Sequence, residues 1–283
     1  MLLAFLAIVP GMVQSPGPQR ATTLTGNITR LPAFESKILE NKRDIWVYLP
    51  PGYEEKPKDR FPVLYCHDGQ NVFDGATSFI NGKEWRVDEA ANALITAGLI
   101  EPIIIVAISN AGTQRGNEYL PTRFKMGNTN LGGKADLYGR FLIEEVKPYI
   151  DEKYRTKPDG KNTGLMGSSL GGVATLYLGL KHPNVFSRLG VVSPSVWVNE
   201  REPLKWVESV KRKPNLRVWV DMGGKESADA VADAKLLVQA LEAKGLRARK
   251  ELVFYEDGFA EHNEEAWARR VPAILMWLFG MKQ

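Results

Sequence analysis

A serine flanked by glycines lies where a strand-like run of the sequence meets a helix-like run. Residues 167–171 read Gly-Ser-Ser-Leu-Gly, a Gly-x-Ser-x-Gly pattern. Small residues two positions either side of the serine allow the strained, tight turn that leaves its hydroxyl exposed. Ser169 is therefore the candidate nucleophile. The Leu170 amide opens the following helix and would face an oxyanion, because N–H groups at a helix N-terminus attract negative charge.

A serine hydroxyl is a weak nucleophile at neutral pH and needs a histidine base that is oriented by a carboxylate. The sequence has three histidines. His67 precedes the serine, which conflicts with the order Ser, acid, His of the α/β-hydrolases. His182 lies at the far end of the helix that begins at Ser169, about 20 Å away, and is interpreted as a structural residue of that helix end. His262 remains as the candidate base.

The acid is expected after the next-to-last predicted strand, where three carboxylates follow one another. Glu226 lies in a glycine-rich turn beyond the strand, within reach of the histidine Nδ1, and is preferred. Asp221 still belongs to the strand pattern, and Asp229 is suited to cap the next helix. Both stay open as alternatives.

The second oxyanion donor is expected in the turn at residues 67–71, His-Asp-Gly-Gln-Asn. Its glycine lets a backbone amide face the site, so the Gln70 N–H is predicted to act beside that of Leu170. His67 and Asp68 are predicted to brace the turn. Aromatic and cationic side chains in other loops are predicted to line a pocket for an aromatic acyl group or a sugar, namely Trp85, Trp197, Tyr119 and Arg123.

Alternating strand-like and helix-like runs must position these residues. An antiparallel hairpin is predicted first, with strands at Phe34–Leu39 and Asp44–Leu49. Further strands are predicted at 61–66, 102–108, 164–167, 188–192, 217–222 and 247–255, and helices at 87–97, 136–154, 169–180, 204–211, 229–244 and 264–279. This alternation predicts an α/β fold, with a mostly parallel central sheet covered by helices on both faces. Each candidate residue follows the carboxyl end of a strand, where such sheets bind ligands.

The composition limits the classes of protein to which the chain can belong. The chain has 283 residues, 44% of them hydrophobic, and a formal net charge of +4 with no basic block. Nucleic acid is therefore not an expected partner. The one cysteine, Cys66, cannot form an internal disulfide and is predicted to lie in the core. No two histidines have the spacing of zinc ligands, so no metal is expected.

The chain begins with an apolar run, Met1–Val9, that is too short to span a bilayer. It is interpreted as the remnant of an export signal, which predicts a secreted or periplasmic protein without stable membrane insertion. The alternative is an N-terminal packing segment of a cytoplasmic protein. Residues 1–32 are accordingly separated, as signal remnant and linker, from one domain at 33–283.

Several segments together resemble the putative-esterase family of α/β-hydrolases, which includes esterase D, enterochelin esterases, carbohydrate esterase family 1 and the mycolyltransferases. The specific matches are the Asp-Gly-Gln-Asn turn at 68–71 and the His-Asn-Glu-x-x-Trp segment at 262–267. The other matches are at 43–53, 62–74, 82–88, Arg115 with 118–121, 167–172 and 192–197. The resemblance spans residues 33–280 and implies an α/β-hydrolase fold.

The resemblance also implies a Ser169-Glu226-His262 triad that cleaves a small ester through an acyl-enzyme, without a cofactor. Acyl-sugar, feruloyl, acetyl and siderophore esters are the expected substrates. Acyl transfer to a sugar hydroxyl, as in mycolyltransferases, and a non-catalytic binding protein on the same fold are the alternatives. Glu226 is the weakest match to the family pattern, because many members carry Asp at this position.

Overall fold

The computed structural model describes residues 21–281 of the chain. Its strands are β1 (Asn27–Ser36), β2 (Asn41–Leu49), β3 (Val63–Cys66), β4 (Ile104–Ile108), β5 (Phe124–Met126), β6 (Thr129–Leu131), β7 (Thr163–Ser168), β8 (Arg188–Val192), β9 (Arg217–Gly223) and β10 (Leu252–Asp257). Eight of them form one sheet in the order β1-β2-β4-β3-β7-β8-β9-β10. β1 and β2 form an antiparallel hairpin, β2 pairs antiparallel with β4, and every pair beyond β4 is parallel.

Helices cover both faces of this sheet. They are α1 (Val87–Thr96), α2 (Arg115–Tyr119), α3 (Ala135–Arg140), α4 (Lys147–Lys153), α5 (Leu170–Lys181), α6 (Val198–Ser209), α7 (Ala228–Ala243) and α8 (Glu264–Phe279). A π-helical turn, Phe141–Val146, joins α3 to α4. The α/β-hydrolase fold and the predicted hairpin are confirmed.

The central strands are buried on both faces, as their continuous apolar runs predict. In β4, Ile104, Val106 and Ile108 pack into the core below α3 to α5 and α7. Ile105 and Ala107 point into the second core, which α1 and α8 cover. This two-sided burial fixes the strand register, because a shift by one residue would exchange the two apolar sets.

Some element bounds differ from the prediction because side chains end the elements locally. β1 extends back to Asn27, into the segment predicted as a linker, and ends at Ser36. The Glu145 carboxylate accepts the amides of Lys37 and Ile38 and the hydroxyl of Ser36, so the chain turns there. The predicted final strand, 247–255, instead runs from Leu252 to Asp257.

Cys66 closes β3 at the centre of the sheet, and its thiol is buried. Burial raises the pKa of this thiol. Within residues 21–281, no helix is long and apolar enough to cross a bilayer. The predicted signal remnant lies outside the described residues.

Candidate active site

Ser169 lies at the strained turn between β7 and α5. Its backbone has φ 57° and ψ −122°, a conformation that a non-glycine residue adopts only when its surroundings enforce it. Its amide donates to the Val192 carbonyl oxygen at 3.0 Å. A Cβ on Gly167 would lie 2.8 Å from the Gly171 carbonyl carbon. The first glycine of the Gly-x-Ser-x-Gly pattern is therefore required by the close approach of strand and helix.

His262 and Glu226 are brought together from the loops after β10 and β9. The His262 Nδ1 lies 2.6 Å from Glu226 Oε2. The Glu226 side chain is 5% exposed and that of His262 is 41% exposed. Burial alone would raise the pKa of Glu226, but the hydrogen bonds from His262 and Ser193 hold it below its usual range. An ionised carboxylate only accepts, so in the neutral ring Nδ1 carries the proton and Nε2 can accept one.

A serine that the sequence reasoning missed holds the other carboxylate oxygen of Glu226. Ser193 Oγ donates to Glu226 Oε1 at 2.5 Å, and the Gly223 amide donates to the same oxygen at 3.0 Å. Ser193 Oγ itself accepts from Trp267 Nε1 at 3.1 Å and from Arg270 at 3.0 Å. The orientation of Glu226 is therefore fixed by a buried network that reaches into α8. The family resemblance at residues 192–197 was the one signal for Ser193 in the sequence.

The alternative acids lie elsewhere. Asp221 is fully buried and accepts from the Trp219 indole at 2.7 Å and from the Ser193 amide at 3.0 Å. It is also paired with Arg270 at 3.3 Å. Burial nevertheless raises the pKa of Asp221 to about 6. Asp229 is exposed in the first turn of α7, where Ser227 provides the helix cap. Of the three, only Glu226 contacts His262.

The turn after β3 presents the second amide. Neither the Gln70 N–H nor the Leu170 N–H donates a hydrogen bond within residues 21–281. Asp68, with φ 55°, starts this turn, and its carboxylate accepts from Arg115 at 2.7 and 2.8 Å and from Asn110 at 2.7 Å. The two charge-assisted bonds from Arg115 hold the turn in place.

His67 lies beneath this turn and is 1% exposed. Its Nδ1 is 2.9 Å from the Tyr138 hydroxyl. Burial lowers the pKa of His67 to about 4, so the ring is neutral at pH 7. His182 ends α5 at the opposite end from Ser169.

Two cavities meet at Ser169 and His262, since both residues line both cavities. The larger has a volume of about 930 Å³ and includes Gln70, Phe79 and Glu264 in its lining. The smaller has a volume of about 450 Å³ and is lined by Ser195 and Trp197 among others. An ester held at Ser169 can therefore place its acyl group in one cavity and its alcohol in the other.

The Ser169 hydroxyl lies beside Ser195, which lines the smaller cavity. Its Oγ lies 3.2 Å from Ser195 Oγ, and within residues 21–281 it makes no hydrogen bond with His262. Catalytic hydrogen bonds are often long without substrate and shorten only in the Michaelis complex. Ser195 is a second residue near the nucleophile that the sequence reasoning missed.

The four predicted pocket residues are dispersed. Trp85 and Tyr119 are buried, at 2% and 0% exposure, so they do not line either cavity, and the expectation for these two is corrected. Trp85 packs against Trp267, whereas the Tyr119 hydroxyl accepts from the Asp68 amide at 3.1 Å. Trp197 lines the smaller cavity. Arg123 lies in a separate depression beside β5 and β6, so the expectation for Arg123 is corrected as well.

Phe79 and Glu264 were not predicted. The Phe79 side chain is 84% exposed on a loop at the larger cavity. Glu264 is 6% exposed, and burial raises the pKa of its carboxyl. In the described part of the chain, no group of three or more His, Cys, Asp or Glu side chains is placed to hold a metal ion.

Comparisons with known proteins identify a family of esterases. The model of a family described as "Putative esterase" matches residues 36–278. An endo-1,4-beta-xylanase/feruloyl esterase of Xylanibacter ruminicola is 30% identical over 260 residues, which cover 90% of this chain and 31% of that protein. The ferri-bacillibactin esterase BesA of Bacillus subtilis is 25% identical over 191 residues, or 64% of this chain and 65% of that protein.

The fold is similar to that of an enterobactin esterase from Shigella flexneri, solved in the presence of 2,3-di-hydroxy-N-benzoyl-serine. The TM-score is 0.68 at 18% identity, with 92% of this chain and 60% of the other covered.

Proposed function

The chain belongs to the Putative esterase family, and on that premise we propose that it is a serine carboxylesterase that works through an acyl-enzyme. The observation that carries this proposal is the pairing of a buried, ionised Glu226 with His262 at 2.6 Å, beside a serine in a strained strand-to-helix turn. A structural role would not require this strained backbone next to a histidine with a free Nε2.

In the acylation step, Ser169 Oγ attacks the ester carbonyl carbon while His262 Nε2 takes the hydroxyl proton. The Glu226 carboxylate stabilises the imidazolium that forms and keeps the ring in the productive orientation. The amides of Gln70 and Leu170, which have no acceptor among the described residues, donate to the oxyanion. His262 then delivers the proton to the leaving alcohol.

In the deacylation step, a water molecule takes the place of the alcohol. His262 removes its proton, and the water oxygen attacks the acyl carbon of the acyl-enzyme. The second tetrahedral intermediate uses the same two amides, and its collapse returns the proton from His262 to Ser169 Oγ. A sugar hydroxyl in the position of water would give acyl transfer instead, as in the mycolyltransferase alternative.

We propose an ester that carries a hydroxylated aromatic ring as the substrate. One relative is named as a feruloyl esterase, and the similar enterobactin esterase structure was solved in the presence of 2,3-di-hydroxy-N-benzoyl-serine. The larger cavity has a matching character, because the exposed Phe79 ring borders polar groups of Gln70, Asn71 and Glu264. Aromatic rings stack well on such a side chain, while amides and a carboxyl hydrogen-bond to ring hydroxyls.

The test is the turnover of p-nitrophenyl acetate and of feruloyl and dihydroxybenzoyl esters by the Ser169→Ala and His262→Ala variants. Each variant should lose a factor of at least ~10³ in kcat, and the double variant should be scarcely worse, because the residues act as a unit. A fluorophosphonate probe should label the wild type at Ser169 and leave Ser169→Ala unlabelled.

Full turnover by His262→Ala would contradict the proposal, and a wild type that is neither labelled nor active would favour the non-catalytic alternative. Product analysis with an added alcohol acceptor separates hydrolysis from acyl transfer.

A further inference from the structure

The loop from Asp74 to Glu84 carries Phe79 and forms one wall of the larger cavity. Two hydrogen bonds connect the loop to the turn at residues 67–71, which carries the Gln70 amide and is called the oxyanion turn below. Thr77 Oγ1 donates to the Gln70 carbonyl oxygen at 2.7 Å, and the Phe79 amide donates to Asn71 Oδ1 at 2.9 Å. A displacement of this loop would therefore move both the Phe79 wall of the cavity and Gln70, the residue whose amide is predicted to bind the oxyanion.

Both ends of this loop are held by the chain segment before β1. The Thr23 amide donates to Asp74 Oδ1 at 3.1 Å, and the Gly75 amide donates to Thr23 Oγ1 at 2.8 Å. At the other end of the loop, the same Thr23 hydroxyl donates to Glu84 Oε1. Thr22 Oγ1 adds a hydrogen bond to Asp74 Oδ2 at 3.0 Å. Thr23 thus joins the two ends of the loop, through its amide and hydroxyl at Asp74 and Gly75 and through its hydroxyl at Glu84.

The carboxylates below Thr23 are buried. Asp74 and Glu84 are 6% and 4% exposed, and Glu84 Oε2 has no hydrogen-bond partner within the described residues. Burial raises the pKa of Glu84 to about 7, and the Thr23 hydroxyl opposes that rise. Buried carboxyl groups without donors are costly. Within residues 21–281, the Thr23 hydroxyl is the only donor to Glu84 Oε1.

We propose that Thr23 is a positioning residue of the active site, acting through the Asp74–Glu84 loop on the Gln70 amide and on the Phe79 wall. Residues 22 and 23 are then part of the catalytic architecture rather than of a linker. The effect on catalysis rests on the proposed esterase function, whereas the effect on the loop does not.

A neighbouring threonine offers a matched control. The Thr25 amide and hydroxyl donate to Asp88 Oδ2 at 2.7 and 3.1 Å, and Asp88 lies in α1 rather than in the loop. Replacing Thr25 by Val also removes a hydroxyl from a buried carboxylate in the same segment. Its effect on stability should be similar, but it leaves the loop contacts of Thr23 in place.

The experiment compares Thr23→Val, Thr23→Ser and Thr25→Val in the full chain. Hydrogen exchange of the peptide that covers residues 76–83 should become at least ~10-fold faster in Thr23→Val, and kcat for p-nitrophenyl acetate should fall about tenfold, because small misplacements of catalytic groups are costly. Thr23→Ser keeps the hydroxyl and should restore both values. Thr25→Val should change neither.

Unchanged exchange and unchanged kcat in Thr23→Val would overturn the proposal. So would equal effects of Thr23→Val and Thr25→Val, since these would reflect general loosening of the fold. Thr23→Ala repeats the comparison with a smaller side chain if the Val variant folds poorly. If Ser169→Ala remains active, the esterase proposal fails, but the exchange measurement still decides whether Thr23 holds the loop.

Discussion

Replacing Glu226 by Gln should inactivate the enzyme while leaving it folded. The two carboxylate oxygens have different partners, since Oε1 accepts from Ser193 and from the Gly223 amide, and Oε2 accepts from His262. The Gly223 amide can only donate, so it selects the oxygen of a Gln side chain for the first position. The Gln NH₂ group must then face His262 Nδ1, which has to accept a hydrogen bond and move its proton to Nε2.

This tautomer cannot take the proton from Ser169. The matching change in a Ser-His-Asp protease lowers kcat by about 10⁴, and we expect a loss of about 10³ to 10⁴ here, or about 4 to 5.5 kcal/mol in the activation barrier. The assay is the turnover of p-nitrophenyl acetate at neutral pH, with thermal unfolding to show that the variant is folded. Asp229→Asn is the control, because this exposed carboxylate makes no contact with His262. A folded Glu226→Gln variant with more than about a tenth of wild-type kcat would refute the reasoning.

Three further predictions concern the surroundings of the site. Ser193→Ala leaves the Trp267 and Arg270 donors unpaired. This variant should lower the free energy of unfolding by about 1 to 3 kcal/mol, measured by urea titration, and should also lower kcat. An unchanged kcat would contradict the role of Ser193 in holding Glu226. The pKa of His67 is lowered to about 4 in the folded protein. As pH falls, His67 is therefore protonated in the unfolded chain before it is protonated in the folded one, and stability is lost between about pH 6.5 and about pH 4. His67→Gln should therefore lose about 3 kcal/mol less than the wild type between these two pH values, and equal losses would show that the ring is not held neutral. Phe79→Ala should raise KM for a feruloyl ester several-fold with little effect on an acetyl ester, and equal effects on both would remove Phe79 from the aromatic wall.

The fold could be predicted well because local patterns determine most of it. α8 occupies the predicted residues, Glu264–Phe279, since an Asn cap precedes a long apolar stripe. The parallel strands could be located because they are buried on both faces. The final strand begins later than its pattern predicts. The Glu251 carboxylate accepts the Arg247 amide at 2.9 Å, so residues with a strand-like pattern form a turn instead.

Side-chain direction in loops could not be predicted. Trp85 and Phe79 lie on the same loop region, yet one is 2% and the other 84% exposed. The difference arises because Trp85 packs against Trp267 of α8, a contact between residues far apart in the chain. Ser193 likewise holds Glu226 only because the end of β8, the turn with Glu226 and α8 are in contact. No local pattern in the sequence predicts this contact.

The reactivity of the buried Cys66 can be used to measure opening of the central sheet. It is the one cysteine of the chain, it lies at the end of β3 next to the oxyanion turn, and its buried thiol has a raised pKa. A thiolate forms there only when the centre of the sheet opens, so the rate of modification by an alkylating reagent measures that opening directly. Substrate analogues that tighten the site should slow the reaction. A second cysteine introduced on the surface would, in turn, be the only site to react in the native state, so a single fluorophore could be attached there without removing any native residue.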